Sequence, residues 1–261
     1  MAFTGKSTYS EGNRRYVLET MRRNKEVECL ADLIRIVSPY ETPLLDALGD
    51  PLREAKSTNH EWMEGNLRNN NHTQEFRTKV EASLEETNLL GIDDEMDYQK
   101  QERLRQLIRD LENTIVNGDN SSDSYKIKGI ISSIQTNRIE VKELDQSAVN
   151  KALRQIWENN NGNIDLIVCN GYLKKKLDIS GDSIFESDFF GSSRIVCCRW
   201  VPKDMVLLLD SSKINVMPLS NQSFHFRVTS KSENYRCGEI IGEYTLEFKK
   251  ESCHGIIKEM K

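Results

Sequence analysis

The adjacent residues Cys253 and His254 have the clearest potential for chemistry in this sequence, because a thiol beside an imidazole can act as a nucleophile. We expect this part of the chain to be a strand, in which adjacent side chains point to opposite faces. Cys253 and His254 should therefore lie apart. With four histidines in the whole chain, we predict no catalytic residue, and a soluble hydrolase that uses this pair remains the enzyme alternative.

Other patterns that suggest ligand binding each lack a required partner. Thr4–Thr8 resembles the end of a phosphate-binding loop, but that loop needs another glycine five residues before Gly5. Helix capping accounts for the acidic run Asp93–Glu95. The six cysteines include no Cys-x-x-Cys pair, so their spacing predicts neither a zinc site nor a disulfide framework. The sequence thus predicts no cofactor and no metal ion.

Composition argues against several classes of function. The chain has 261 residues, enough for one large domain or two small ones, and a net charge of −5. Proteins that neutralise DNA phosphates usually have a basic face, whereas the longest basic run here is Lys174–Lys176. No segment has the length of a membrane span or the form of a signal peptide. We expect a soluble, intracellular protein that does not bind DNA by sequence.

The strongest helix pattern covers residues 93–117. Asp93 can cap its N-terminus, and Gly118 stands where a left-handed glycine often follows a helix. About 25 residues at 1.5 Å each make a rod of roughly 37 Å. One apolar stripe runs along it with polar residues opposite, so the helix should lie on a surface. The stripe consists of Leu104, Leu107, Ile108, Leu111 and Ile115.

Residues 54–88 predict a charged β-hairpin. Apolar and charged residues alternate from Phe76 to Leu84, which is the period of a strand with one packed face. We expect His60–Glu64 to pair with this strand through a tip at Asn69–Asn71. A ribbon this polar has little core of its own, so it should lie on another structure such as a second subunit. Its predicted packing residues are Trp62, Phe76 and Val80.

The rest of the chain mixes helices and strands without a repeat, which indicates an α+β fold. Helices are predicted at 148–157 and 171–178. Residues 219–238 are polar and are predicted to be irregular. Strands are predicted at 164–169, 194–201, 205–209, 214–217 and 244–248.

Six short segments spread over residues 30–260 are informative when they are taken together. They are Ser38-Pro39 with Thr42–Leu45; His60–Trp62; Asn71–Gln74 leading to Phe76; Asp94-Glu95 with Asp97–Gln99, Arg109-Asp110 and Glu112; Glu186–Phe189 with Gly191 and Arg199-Trp200; and Gly242–Glu247 with His254-Gly255. In this order they resemble the major capsid proteins of tailed bacteriophages, which have the Hong Kong-ninety-seven capsid fold.

The resemblance implies a shell-building subunit rather than an enzyme. Such a subunit would form hexamers and pentamers of an icosahedral head around double-stranded DNA, and would be found in the virion after assembly in the host bacterial cytoplasm. Its other partners would be the portal protein, a separate scaffolding protein and decoration proteins. A cytosolic protein nanocompartment shares the fold and is the second alternative.

The resemblance also divides the chain into named parts. The short stretch Leu67–Asn71 implies an E-loop with a reduced tip, and the lack of a long segment before the arm implies a separate scaffold. The implied parts are an N-terminal arm at 1–44, the E-loop hairpin with its flanks at 45–92, a peripheral domain with the spine helix at 93–118 and 239–252, and an axial domain at 119–238 and 253–261.

Overall fold

A computed structural model describes residues 41–49, 53–83, 92–121, 125–160, 162–177, 181–187, 191–231 and 235–260. The phosphate-loop-like Thr4–Thr8, most of the predicted arm, the side chain of Asp93 and residue Leu84 lie outside this description. The elements are α1 (Pro43–Leu48), β1 (Asn59–Glu64), β2 (Leu67–His72), β3 (Gln74–Ser83), α2 (Ile92–Asn117), α3 (Ile130–Ser133), β4 (Arg138–Val141), α4 (Gln146–Asn160), β5 (Leu166–Cys169), α5 (Gly171–Leu177), β6 (Ile184–Ser187), β7 (Gly191–Cys197), β8 (Met205–Leu209), β9 (Ile214–Pro218), β10 (His225–Lys231), β11 (Tyr235–Phe248) and β12 (Gly255–Glu259), with 3-10 turns at Ser211–Lys213 and Glu251–Cys253.

The long helix predicted at 93–117 is present as α2, whose 26 residues make a rod of about 39 Å. All five residues of its apolar stripe are at most 4% exposed, and the helix packs across β3 and β11. Gly118 was predicted as a left-handed cap, and this is wrong because its φ is not positive. A Cβ there would overlap the carbonyl oxygens of Thr114 and Ile127, so glycine is needed for close approach of two chain segments.

A four-stranded sheet forms the layer beneath α2. The strand β11 lies between β10 and β3 over its first part, and its last residues, Tyr244–Phe248, pair with β9. Two glycines of β11 are covered by aromatic rings, Gly238 by Phe226 and Gly242 by Phe224, where a Cβ would overlap the ring. Residues 219–238 were predicted to be irregular. This is wrong for residues 225–231, which form β10, and for residues 235–238, which begin β11.

The hairpin is built differently from the prediction. β1 pairs with β2 rather than with the Phe76 strand, and the turn falls at Gly65, which has a φ of +61°. The predicted tip, Asn69–Asn71, is part of strand β2, so the position predicted for the tip is wrong, whereas a reduced E-loop stays a prediction. The alternation of buried Phe76, Val80 and Ala82 was correctly recognised, but β3 pairs with β11. Strand periodicity identifies a packed face and not the partner strand.

A six-stranded mixed sheet, in the order β4-β12-β8-β5-β7-β6, separates two cores. In β5, Leu166 and Val168 face the core that contains α2, whereas Ile167 and Cys169 face the core beneath α4 and α5. Burial of both faces explains why β5 reads as a continuous apolar run. The strand predicted at 194–201 is β7, which begins and ends a few residues earlier.

We expect Leu107→Ala together with Leu111→Ala to lower the free energy of unfolding by about 2–5 kcal/mol for each site, because both side chains are buried in the main core. Urea unfolding measures this loss. Gln106→Ala, at an exposed position of the same helix, is the control. Wild-type stability in the double variant would contradict the packing of α2.

Candidate functional site: the β1–β2 ribbon and its attachment

The strands β1 and β2 form a two-stranded ribbon whose far end carries exposed apolar side chains. The register runs from Asn59 opposite His72 to Glu64 opposite Leu67. Met63 is 61% exposed and Leu67 is 70% exposed. They lie on opposite faces of the ribbon, because Met63 pairs with Arg68 and Leu67 with Glu64. The end of the ribbon therefore offers apolar contacts on both faces.

Asn71 attaches the base of the ribbon to the body of the subunit. Its side chain is buried, and Nδ2 donates hydrogen bonds to the carbonyl oxygens of Lys128 at 3.0 Å and Leu246 at 2.9 Å. Oδ1 accepts from the Lys128 amide at 2.9 Å. One side chain thus joins β2 both to β11 and to the segment before α3. The amide is fully hydrogen-bonded, as a buried polar group requires.

Glu247 of β11 provides a second attachment. Its carboxylate is 1% exposed, and Oε2 lies 2.8 Å from Nε2 of His60 on β1. Oε1 accepts from Lys249 at 2.8 Å, Arg53 at 3.2 Å and Asn215 at 3.2 Å. Burial raises the pKa of Glu247, but the hydrogen bonds from His60 and Lys249 and the positive charges outweigh it and lower the pKa to about 2. The carboxylate stays ionised and ties the ribbon to two strands of the sheet.

Trp62 lies on the ribbon and is half-buried. Its ring stacks on His60 with centroids 5.8 Å apart, and Nε1 donates to Glu64 at 2.7 Å. It borders an open cleft of about 330 Å³ between the ribbon and the body, to which Lys128 and Glu251 also contribute. This mixed lining of charged and aromatic groups can receive side chains from another chain.

The other predicted packing residues lie in the body rather than on the ribbon. Phe76 and Val80 face α2 and are nearly fully buried, and the Phe76 ring meets Phe224 edge-on at 6.5 Å. They belong to the same core as the stripe of α2. Their contribution to assembly, like that of Trp62, stays a prediction. The residues of this core are Phe76, Val80, Leu104, Leu107, Ile108, Leu111 and Ile115, among others.

Cys253 and His254 are not in a strand as predicted, but at a 3-10 turn before β12. His254 is fully buried; its Nδ1 accepts from the Asp210 amide at 3.1 Å, and Nε2 lies 3.1 Å from the Lys249 carbonyl. Burial lowers the pKa of His254 to about 4 and raises the pKa of the Cys253 thiol. Both imidazole nitrogens are engaged by the backbone, so His254 is not available as a base for a thiol.

The described residues form neither a metal site nor a membrane-spanning helix. They contain no group of three or more His, Cys, Asp or Glu side chains placed to hold a metal ion. None of the described helices is long and apolar enough to span a membrane.

Comparison with known families identifies the chain. A sequence model described as SU10 major capsid protein matches residues 6–70 and 66–261. The chain belongs to this major capsid protein family. The predicted relationship to phage capsid proteins is therefore confirmed, and with it a structural role in a shell. No curated protein matches the sequence.

The fold of this capsid protein is similar to solved shell proteins at low sequence identity. A virus-like particle from Pyrococcus furiosus gives a TM-score of 0.60 at 12% identity, covering 96% of this chain and 100% of that chain. The SrpI encapsulin of Synechococcus elongatus PCC 7942 gives 0.57 at 11%, covering 79% and 83%. Mycobacterium phage Bobi gives 0.59 at 10%, covering 81% and 88%. These likenesses confirm the predicted α+β, Hong Kong-ninety-seven capsid fold.

We expect Asn71→Ala to lower the free energy of unfolding by about 1–3 kcal/mol, because the buried carbonyl of Leu246 and the partly buried backbone groups of Lys128 lose their partner. Urea unfolding of the full chain measures the change. Asn70→Ala is the control, since that neighbouring side chain is exposed and should cost less than about 0.5 kcal/mol. Equal losses in both variants would show that Asn71 is not an anchor.

We expect the Glu247 cluster to lose its stabilising effect in acid. The pKa of Glu247 is about 2 in the folded chain against an ordinary 4.5, so its contribution is complete above pH 4.5 and is lost as the pH falls through 2. A shift of this size corresponds to about 3 kcal/mol. The stability difference between wild type and Glu247→Gln should therefore shrink between pH 5 and about pH 2.

Urea midpoints measured across that range test this expectation. Glu140→Gln, at an exposed position of β4, provides a charge-matched control. A difference between wild type and Glu247→Gln that stays constant with pH would contradict the role of the ionised carboxylate.

Proposed function

We propose that the protein is the major capsid protein of a tailed double-stranded DNA phage and that it forms hexamers and pentamers of an icosahedral head. The observation that carries this proposal is the family match, which extends from residue 6 to residue 261. The protein would be located in the virion after assembly in the cytoplasm of the host bacterium.

The β1–β2 ribbon has the features expected of an E-loop, which lies on a neighbouring subunit. Its base is fixed by Asn71 and Glu247, whereas Met63 and Leu67 at its end are left to solvent. Burial of these two side chains on a neighbour would add a modest stabilising contact. Because such a contact repeats at every interface of a shell, modest contacts sum to a stable particle.

The helix α2 has the features expected of the spine helix in a peripheral domain. It is a rod with one buried stripe, and the sheet beneath it includes β11, which carries Glu247. A displacement of α2 would therefore move the attachment of the ribbon with it. We propose this coupling as the way in which the subunit changes shape as a unit.

The charge of the chain suits a container for DNA. A net charge of −5 gives no general attraction to phosphates, so the packaged genome would be enclosed without sequence-specific binding. We propose the portal protein and a separate scaffolding protein as assembly partners, with decoration proteins as further partners on the outer surface.

A nanocompartment shell is the second candidate, and the likeness to an encapsulin and to a virus-like particle favours it. The two candidates differ in contents and in gene neighbours. Portal and terminase genes beside this one, and double-stranded DNA in purified particles, would indicate the phage head. Shells that contain protein cargo and no portal would indicate the nanocompartment.

We expect Met63→Asp with Leu67→Asp to prevent shell formation and to leave the subunit folded, because both positions are exposed and a charge opposes burial at an interface. Negative-stain microscopy of the chain, expressed alone and with its gene neighbours, shows shells, tubes or capsomer rings. Circular dichroism checks the fold.

The variant Met63→Leu with Leu67→Met keeps the apolar surface and should assemble like wild type. Shells from the double aspartate variant would contradict the role of the ribbon end. A monodisperse monomer from the wild-type chain under every condition would contradict the proposed function itself.

A further inference from the structure

Glu112 is a buried carboxyl group where α1 meets the long helix α2. It is 0% exposed, and Oε1 accepts hydrogen bonds from the amides of Leu44 at 2.7 Å and Leu45 at 3.3 Å. Its other oxygen, Oε2, is also buried and accepts no hydrogen bond of normal geometry among the described residues; the nearby Cys198 thiol is only a weak donor. An ionised carboxylate in such a place leaves part of its charge uncompensated. A protonated carboxyl does not have that cost.

The surroundings of Glu112 give it only weak electrostatic support. The thiol of Cys198 and the charge of Arg199 lie on the segment after β7. On α2, Arg109 is already paired with Glu41, and Asp110 is exposed. On α1, Asp46 lies 3.8 Å from Arg194. No cation among the described residues forms an ion pair with Glu112, in contrast to the three basic groups around Glu247.

Burial therefore decides the titration of this group. It raises the pKa of Glu112 from 4.5 to about 7, although the Leu44 and Leu45 amides, Cys198 and Arg199 act to lower it. The pKa of Cys198 is raised to about 12 by its own burial and by Glu112, so the thiol stays neutral. Of these two groups beside α1, Glu112 is therefore the one that changes its charge near neutral pH.

We propose that protonation of Glu112 controls how tightly helix α1 is docked against α2. Separation of α1 exposes the carboxyl to water, where it ionises at an ordinary pH. The docked state therefore binds the proton more tightly than the separated state. By linkage, docking is strongest at low pH and weakens as the pH rises from 4.5 to 7. Leu44 and Leu45 of docked α1 are buried in the main core at every pH, so the docked state remains the major one. A rise in pH only increases the fraction of time that α1 is open.

Hydrogen exchange of the amides in residues 44–49, measured on the full chain, tests this inference. Observed rates are divided by the intrinsic rates at each pH, which leaves the opening equilibrium of α1. With pKa values of 7 and 4.5 in the docked and open states, protection should be about 30-fold higher at pH 5.5 than at pH 8. The measurement uses unassembled subunits, so it is independent of the proposed function in shell formation.

Two variants distinguish control of α1 docking by protonation of Glu112 from a purely structural role of this residue. Glu112→Gln stays neutral and should give protection that does not change between pH 5.5 and pH 8. Arg199→Gln, at an exposed position, removes a charge that lowers the pKa of Glu112, so the midpoint should move to higher pH. Glu102→Gln on the same helix is the control and should behave like wild type.

Three results would overturn the inference. They are equal protection of wild type at the two pH values, a pH dependence retained in Glu112→Gln, or an unchanged midpoint in Arg199→Gln. The last result decides the matter even if Glu112→Gln does not fold.

Discussion

Burial of the α2 stripe against β3 and β11 is the contact on which the other parts of the subunit depend. The same core receives Leu44 and Leu45 of α1, the aromatic rings that cover the glycines of β11, and one face of the six-stranded sheet. The polar β1–β2 ribbon has no such core and is held where its base meets β11 and the segment before α3. Every other feature with a proposed function is attached to α2 or to β11.

Two buried glutamates mark these attachments, and their environments act in opposite directions. Glu247 is surrounded by His60, Lys249 and Arg53, which hold it ionised and make it a permanent link between ribbon and sheet. Glu112 receives two backbone amides and no ion pair among the described residues, so the cost of burial dominates. Glu247 thus makes a contact that does not change near neutral pH, whereas the contact made by Glu112 depends on its protonation. The difference lies in the number of cations within reach.

The likeness to shells from an archaeon, a cyanobacterium and a phage concerns the fold at identities of 12% or less. So low an identity shows that very different sequences can adopt this fold. The stripe of α2 and the doubly buried β5 are burial patterns that many apolar side chains can satisfy. The anchors Asn71 and Glu247 act differently, because each depends on hydrogen bonds that only its own side-chain chemistry can make.

Local patterns in the sequence determined the long helix, the packed face of β3 and the family, because each depends on residue spacing along one segment. Glu112 lies at the edge of the α2 stripe, four residues after Ile108, and this was a signal of a buried carboxyl that periodicity alone could have given. Only the tertiary structure decided that β3 pairs with β11, that β10 is a strand and that Asn71 is buried rather than at a hairpin tip. Strand pairing and the charge state of buried groups depend on contacts between residues far apart in the chain, such as His60 and Glu247. The spacing of residues within one segment carries no information about such contacts.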